Sequence, residues 1–207
     1  MDFSKSFSYV FKDSKWLSKI FIGGLWNFAS LLFFGIPFVL GYFLSVVENC
    51  IKEEESPLPL WKNLSGIFQK GFMLGIIYFA YTIPVILISS FLEDSFGDSD
   101  ALVLLLFMVV LFWLPIVTIN YAKTGDLMSA FRFEEMLSSI MSNTGIYIPM
   151  VLLSLAVISF SFFIGAFIAG IGIPFTSFWG MLVVAHLFGQ FGKHISGSKD
   201  ESIQINV

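Results

Sequence analysis

Two histidines and three side-chain amides are the polar groups placed where they could do chemistry in a chain that is otherwise strongly apolar. His186, Gln190 and His194 fall at i, i+4 and i+8, so on a helix they share one face. Such a stripe can line a pocket or bind a metal. Imidazoles eight residues apart on one helix are about 12 Å apart, too far to hold one ion without ligands from elsewhere. Hydrogen bonding of His186 and Gln190 to neighbouring helices, with His194 in the membrane interface, accounts for the same stripe. Asn27 and Asn120 lie within or near the ends of apolar runs. Interhelical hydrogen bonds by such amides contribute roughly 0.6 to 2 kcal/mol. The polar intramembrane face read from the sequence is therefore His186, Gln190, Asn120 and Asn27, and packing is the role expected of it.

Other chemistry is not signalled. The sequence has no HExxH, no GxSxG, no phosphate-cradling glycine loop and no CxxC. Ser89-Ser90 and Ser138-Ser139 have no nearby histidine, and Glu134-Glu135 reads as the solvated face of a surface helix. A single cysteine, Cys50, excludes an internal disulfide and a multi-thiolate metal site. No catalytic residue, metal or cofactor is expected, and a non-enzymatic protein is the reading. Eleven scattered basic residues make no nucleic-acid footprint.

The elements that position these groups follow from where charge is missing. Of 207 residues, 57% are hydrophobic and 13% charged, against about 25% charged in a soluble domain. No Asp, Glu, Lys or Arg occurs from Ile20 to Val47, Gly71 to Leu92, Ala101 to Ala122 or Thr144 to Gly192. A helix needs roughly 20 mostly apolar residues to cross the hydrocarbon, and the last run is long enough for two crossings. An all-α, polytopic transmembrane bundle of five to six crossings is predicted, over residues 20–192. Carboxylates and amines are missing from this predicted hydrocarbon, which argues against a proton-coupled carrier or a voltage sensor.

Residues 1–19 carry Phe3, Phe7, Val10 and Phe11 at helical spacing beside four lysines, which predicts an amphipathic segment at the membrane surface. They do not resemble a cleaved signal peptide. Ile20–Val47 contains Gly35-Ile36-Pro37. Proline removes a donor and disfavours helix just before it, so the run is either one long kinked helix or a tight pair of short ones. Leu60, Trp61, Leu64, Ile67 and Phe68 predict a second surface helix near 58–70, and Leu127 to Met141 a third near 126–143, capped by Asp126. Proline interrupts the spans at Pro84 and Pro115. Ser161, Gly165 and Ala169, and Gly71 with Gly75, predict close helix contacts. The tail 193–207 is polar and expected to be disordered. A weak repeat relates Phe33-Phe34-Gly35-Ile36-Pro37 to Leu111-Phe112-Trp113-Leu114-Pro115; it favours a single crossing for the first run.

Basic residues number four in the N-terminal segment, three in 48–70, none in 93–100, two in 123–143, none in 170–172 and two in the tail. Cytoplasmic loops carry the excess of Lys and Arg. That alternation puts both termini in the cytoplasm if the first run is a hairpin entering and leaving on one side.

With these segments in place, the chain resembles the bacterial and archaeal membrane family catalogued as domain of unknown function 4013. The resemblance rests on Tyr9-Val10-Phe11-Lys12-Asp13 with Trp16, Gly23-Gly24, Gly41-Tyr42, Leu58-Pro59-Leu60-Trp61, Ala130-Phe131 and Phe188-Gly189-Gln190. It implies a multi-pass protein of a prokaryotic plasma membrane and carries no activity with it. The acidic run Lys52-Glu53-Glu54-Glu55 departs from the basic character expected there. Two functions are open: an accessory, scaffold or assembly protein that binds partner membrane proteins or its own copies, or a facilitator for a lipid or neutral hydrophobic solute. Membrane lipids are partners in either case.

Overall fold

The computed structural model describes residues 1–96, 100–168 and 170–205, with the side chains of 93–96 and 198–205 left aside. Among the described residues the fold is all-α.

Helix α1 (Phe3–Lys12) starts where the Asp2 carboxylate accepts from the Lys5 N–H at 3.0 Å. It stops at Asp13, whose carboxylate turns back to accept from the Lys15 N–H at 2.8 Å. Helix α2 (Trp16–Ala29) leads through a 3₁₀ turn, Ser30–Leu32, to α3 (Ile36–Ile51). The first apolar run is therefore a pair of short helices. The chain reverses at Phe33, which takes a left-handed φ of 62°, and Gly35 lies so close to the Trp26 carbonyl that a Cβ would overlap it. Trp26 stacks on Phe38 across the hairpin at 3.9 Å. The arms, 14 and 16 residues, run about 21 and 24 Å. Both fall short of the roughly 30 Å hydrocarbon.

Among the described residues three helices are long and apolar enough to cross a membrane, with mean hydropathies of 2.1, 2.9 and 2.4. They lie in α4 (Leu64–Phe96), α5 (Asp100–Thr124) and α7 (Thr144–Phe167). Only 22%, 28% and 33% of their apolar windows are buried within the chain. Phe79, Leu87, Phe91, Leu104, Leu105, Phe160 and Phe163 face outward. Such a continuous apolar surface is the mark of contact with lipid. Helix α8 (Ile173–Ile205) falls outside this group: it is long, but Thr176, Ser177, His186 and Gln190 dilute its apolar character. Against the five to six crossings expected from charge-free runs, three helices among the described residues meet both length and apolarity on their own.

Several boundaries differ from expectation. The predicted surface helix near 58–70 is not separate: 64–70 form the first turns of α4, because no breaker interrupts the periodicity at Lys70-Gly71. The segment near 126–143 is broken, with a 3₁₀ turn Leu127–Phe131, a non-helical Arg132 (ψ 74°), then α6 (Phe133–Ser142). Asp126 does cap it, accepting from the Met128 N–H. Helix α8 continues through Ile205, where a disordered tail was expected from Lys193. Helix α5 runs unbroken through Leu114-Pro115, whereas the related stretch at Pro37 is a turn, so the two halves of the apparent repeat fold differently.

Helix α8 is the axis of the packing, touching α1, α2, α3, α5 and α7. Its Phe178, Leu182, Val183, Ala185, Leu187 and Phe191 are fully buried. Small residues set the closest approaches. Gly41 and Gly71 meet backbone to backbone where α3 crosses α4, and Ser161 and Gly165 of α7 lie against Gly180 and Ile173 of α8. Both predicted small-residue motifs are thus used inside the chain, although Ala169 is outside the described residues.

Candidate functional site

The predicted polar residues divide into three places. Asn27 donates to the Pro174 carbonyl at 2.9 Å and to Ser177 Oγ at 2.8 Å, tying the end of α2 to the start of α8. Asn120 donates to the Ser129 carbonyl at 3.0 Å and closes the turn after α5. Only His186 and Gln190 act together, on the face of α8 that receives α1.

That face is a clasp. Gln190 Oε1 accepts from the Asp2 N–H at 2.7 Å, and Gln190 Nε2 donates to the Asp2 carbonyl at 2.8 Å. The Asp2 backbone, one donor beside one acceptor, fixes which way the amide points. Gln190 Nε2 then also lies 2.9 Å from Ser6 Oγ and 3.0 Å from His186 Nδ1, and Ser6 Oγ lies 2.9 Å from the same Nδ1. With the donor-only amide nitrogen beside it, Nδ1 is assigned as the acceptor and the imidazole proton to Nε2. Tyr9 stacks on the ring at 4.2 Å and donates its hydroxyl to the Leu182 carbonyl. Serine and tyrosine at these positions bury a polar face of α1 against α8, where the apolar spacing predicted a helix resting on lipid. Phe11, counted in that apolar face, is exposed and meets Trp16 edge-on.

A second knot forms where α1 turns into α2. Lys19, buried, donates to Asp13 Oδ2 at 2.5 Å and to the Leu58 carbonyl at 2.7 Å. Ser56 donates to the same carboxylate, and Trp61 Nε1 donates to the Lys19 carbonyl. Burial pushes the Asp13 carboxyl up, but the hydrogen bonds from Lys19, Lys15 and Ser56 and the lysine charge outweigh it and hold it below the ordinary carboxylate range. Tyr42 stacks on Trp61 and donates to the Pro59 carbonyl. This fastens the irregular 52–63 connection over the elbow. Sequence reasoning missed both knots; the available signal was the polar set Ser6, Tyr9 and Asp13, recurring at helical intervals along a segment read for its apolar face, with Lys19 one turn into the next helix.

Between clasp and knot opens a vestibule of about 810 Å³. One wall is α1 with Lys5, Tyr9 and Lys12, another the connection with Glu53, Glu54 and Glu55, and the floor is His186 and Gln190 of α8. Lys193 bridges to Glu53 at the rim. Cys50 also lines it; burial pushes its thiol up to about 12, with nearby Lys5 pulling the other way, so the thiolate needed for nucleophilic chemistry is scarce at neutral pH. Among the described residues no group of three His, Cys, Asp or Glu could hold a metal ion.

Comparison with known proteins gives no match among curated proteins and none among solved structures. The model of one family, described as "Protein of unknown function (DUF4013)", matches residues 27–171. That stretch contains Gly41-Tyr42, Leu58-Pro59-Leu60-Trp61 and Ala130-Phe131, while the motifs in α1, early α2 and α8 lie outside it. With a helical bundle in hand and well over half of its length matched, this chain belongs to the DUF4013 family.

Proposed function

We propose that the protein is a multi-pass integral protein of a prokaryotic plasma membrane that works by binding, as an accessory, scaffold or assembly subunit. The observation that carries this reading is how the polar groups are spent. The buried histidine and the Gln190 amide fasten α1 onto α8, the Lys19–Asp13 pair fastens the 52–63 connection over the α1–α2 elbow, and the one thiol beside them is held protonated. What remains is a charged, open surface at the end of an apolar bundle. Basic residues concentrate in α1, its elbow, 52–70, 123–132 and 193, which favours a cytoplasmic location for that end and for both termini.

Chemical cross-linking in native membranes tests the role. A discrete larger species, containing a second copy or a partner membrane protein, is expected. A lone monomer under conditions that trap known complexes overturns it. Orientation needs an introduced thiol, because burial holds Cys50 in its protonated form. In a Cys50→Ser background, Ser4→Cys, on the exposed side of α1, should resist an impermeant maleimide in whole cells and react in inverted vesicles.

A second reading, a facilitator for a lipid or neutral solute, is favoured by the vestibule and by proline within α4 and α5. Liposomes that show neither flux nor lipid scrambling with the reconstituted protein would remove it.

A further inference from the structure

We propose that the vestibule is a binding site for a phosphate-and-amine zwitterion, the chemistry of a phosphoethanolamine group. The proposal goes beyond the partner-binding role above and does not depend on it. Three observations carry it. First, the walls have opposite sign. Lys5 and Lys12, seven residues apart on one side of α1, face the cavity, and Glu54 and Glu55 line it from the connection. None of these four side chains makes an ion pair within the described residues. Opposite charges that line one cavity without pairing suit a ligand that carries both. Second, the floor offers a directed donor. His186 is 4% exposed, and its Nδ1 is committed to Ser6 and Gln190. Its Nε2–H bonds to nothing among the described residues. It is not one of the nitrogens sealed away without a partner, which are the indoles of Trp113 and Trp179, so it looks onto the open space that His186 lines. Third, the size is right, since about 810 Å³ falls within the roughly 300 to 1,000 Å³ usual for small-ligand sites.

In this site the phosphate accepts from His186 Nε2–H and from the Lys5 and Lys12 ammonium groups, which bind phosphate as point charges. The ligand's ammonium turns to Glu54 and Glu55. Pairing both ends explains why the two walls stay apart. An anion alone would leave the acidic wall unpaired and pay repulsion from it.

The test is calorimetric titration of the intact protein in an uncharged maltoside micelle. The probes are soluble phosphoethanolamine and a short-chain phosphatidylethanolamine, with phosphatidylglycerol of the same chain length for comparison. At least one amine-bearing probe is expected to bind at least tenfold tighter than phosphatidylglycerol. Binding of the soluble probe means that the headgroup suffices; binding of the lipid alone means that the bilayer is the source. Lys5→Ala with Lys12→Ala should weaken the amine-bearing ligand at least tenfold without changing the melting temperature. Glu54→Gln with Glu55→Gln should remove the preference over phosphatidylglycerol. Both pairs are exposed, so folding is not at risk. Neither amine-bearing probe binding more tightly than phosphatidylglycerol, or affinity unmoved by the lysine substitutions, overturns the proposal. None of these results bears on cross-linking to a partner, so the two readings fail separately.

Discussion

Helices α7 and α8 are neighbours that differ in where their polar side chains find partners. On α7, Ser154 and Ser161 return their hydroxyls to the carbonyl four residues back, as do Thr82, Ser89 and Ser90 on α4. A hydroxyl satisfied by its own helix asks nothing of its surroundings. On α8, Thr176 and Ser177 do the same, but Ser177 also accepts from Asn27, and His186 and Gln190 reach across the chain to Ser6 and Asp2. Apolar residues divide the same way, with Phe178 and Phe191 of α8 buried and Phe160, Phe163 and Phe167 of α7 left outside. The outer helices are built to meet lipid and the inner one to meet protein, so the same kind of substitution should have different effects on the two.

The contrast is broken most sharply at Phe178, which fills the space beside Gly23 and Tyr42. Phe178→Ala should cost about 3 to 5 kcal/mol, read as a large drop in melting temperature in detergent. A small drop would mean that α8 is not the packing axis. Next is the elbow. Asp13→Asn strands a buried lysine and should cost about 3 kcal/mol. Because the folded carboxyl is held below its ordinary range, its stabilisation is complete above about pH 4 and is lost as pH falls through the lowered value. Melting curves of parent and variant should therefore converge in acid, and a gap independent of pH would contradict the ion pair. Gln190→Ala should cost about 1 to 2 kcal/mol, with hydrogen exchange accelerating across α1 and little elsewhere. Unchanged protection of α1 would show that the clasp does not hold it. Smallest is Phe163→Ala on the outer face of α7, within about 0.5 kcal/mol, since lipid replaces the lost contacts as readily as it met the ring. A loss above 2 kcal/mol there would indicate a protein neighbour on that face.

Composition alone revealed the outer helices, because a lipid-facing surface must be apolar along its whole length and charge-free runs record that directly. It said less about α8, where burial in protein and immersion in lipid demand the same residues. The hairpin at Gly35-Ile36-Pro37 was legible as one of two alternatives; the packing of Gly35 on the Trp26 carbonyl decides between them. His186 and Gln190 were legible as a shared face, but not their partners. Ser6 and Asp2 are about 180 residues away in sequence, and no local pattern encodes a hydrogen bond of that span. The vestibule was illegible for the same reason, since its walls come from three separate segments.

The sequence distance across these contacts has a consequence for how the protein is made. Helices α1 and α2 leave the ribosome long before Pro174, Leu182, His186 and Gln190 exist, and their side-chain partners on α8 lie 147 to 188 residues downstream. Neither α2 nor α3 is long enough to anchor itself across the bilayer in the meantime. Until α8 is made, α1 and α2 have only α3 and the 52–63 connection to hold them. Closing so long a loop is the slow step that topology imposes, so α1 and α2 reach their final seat only after α8 has formed.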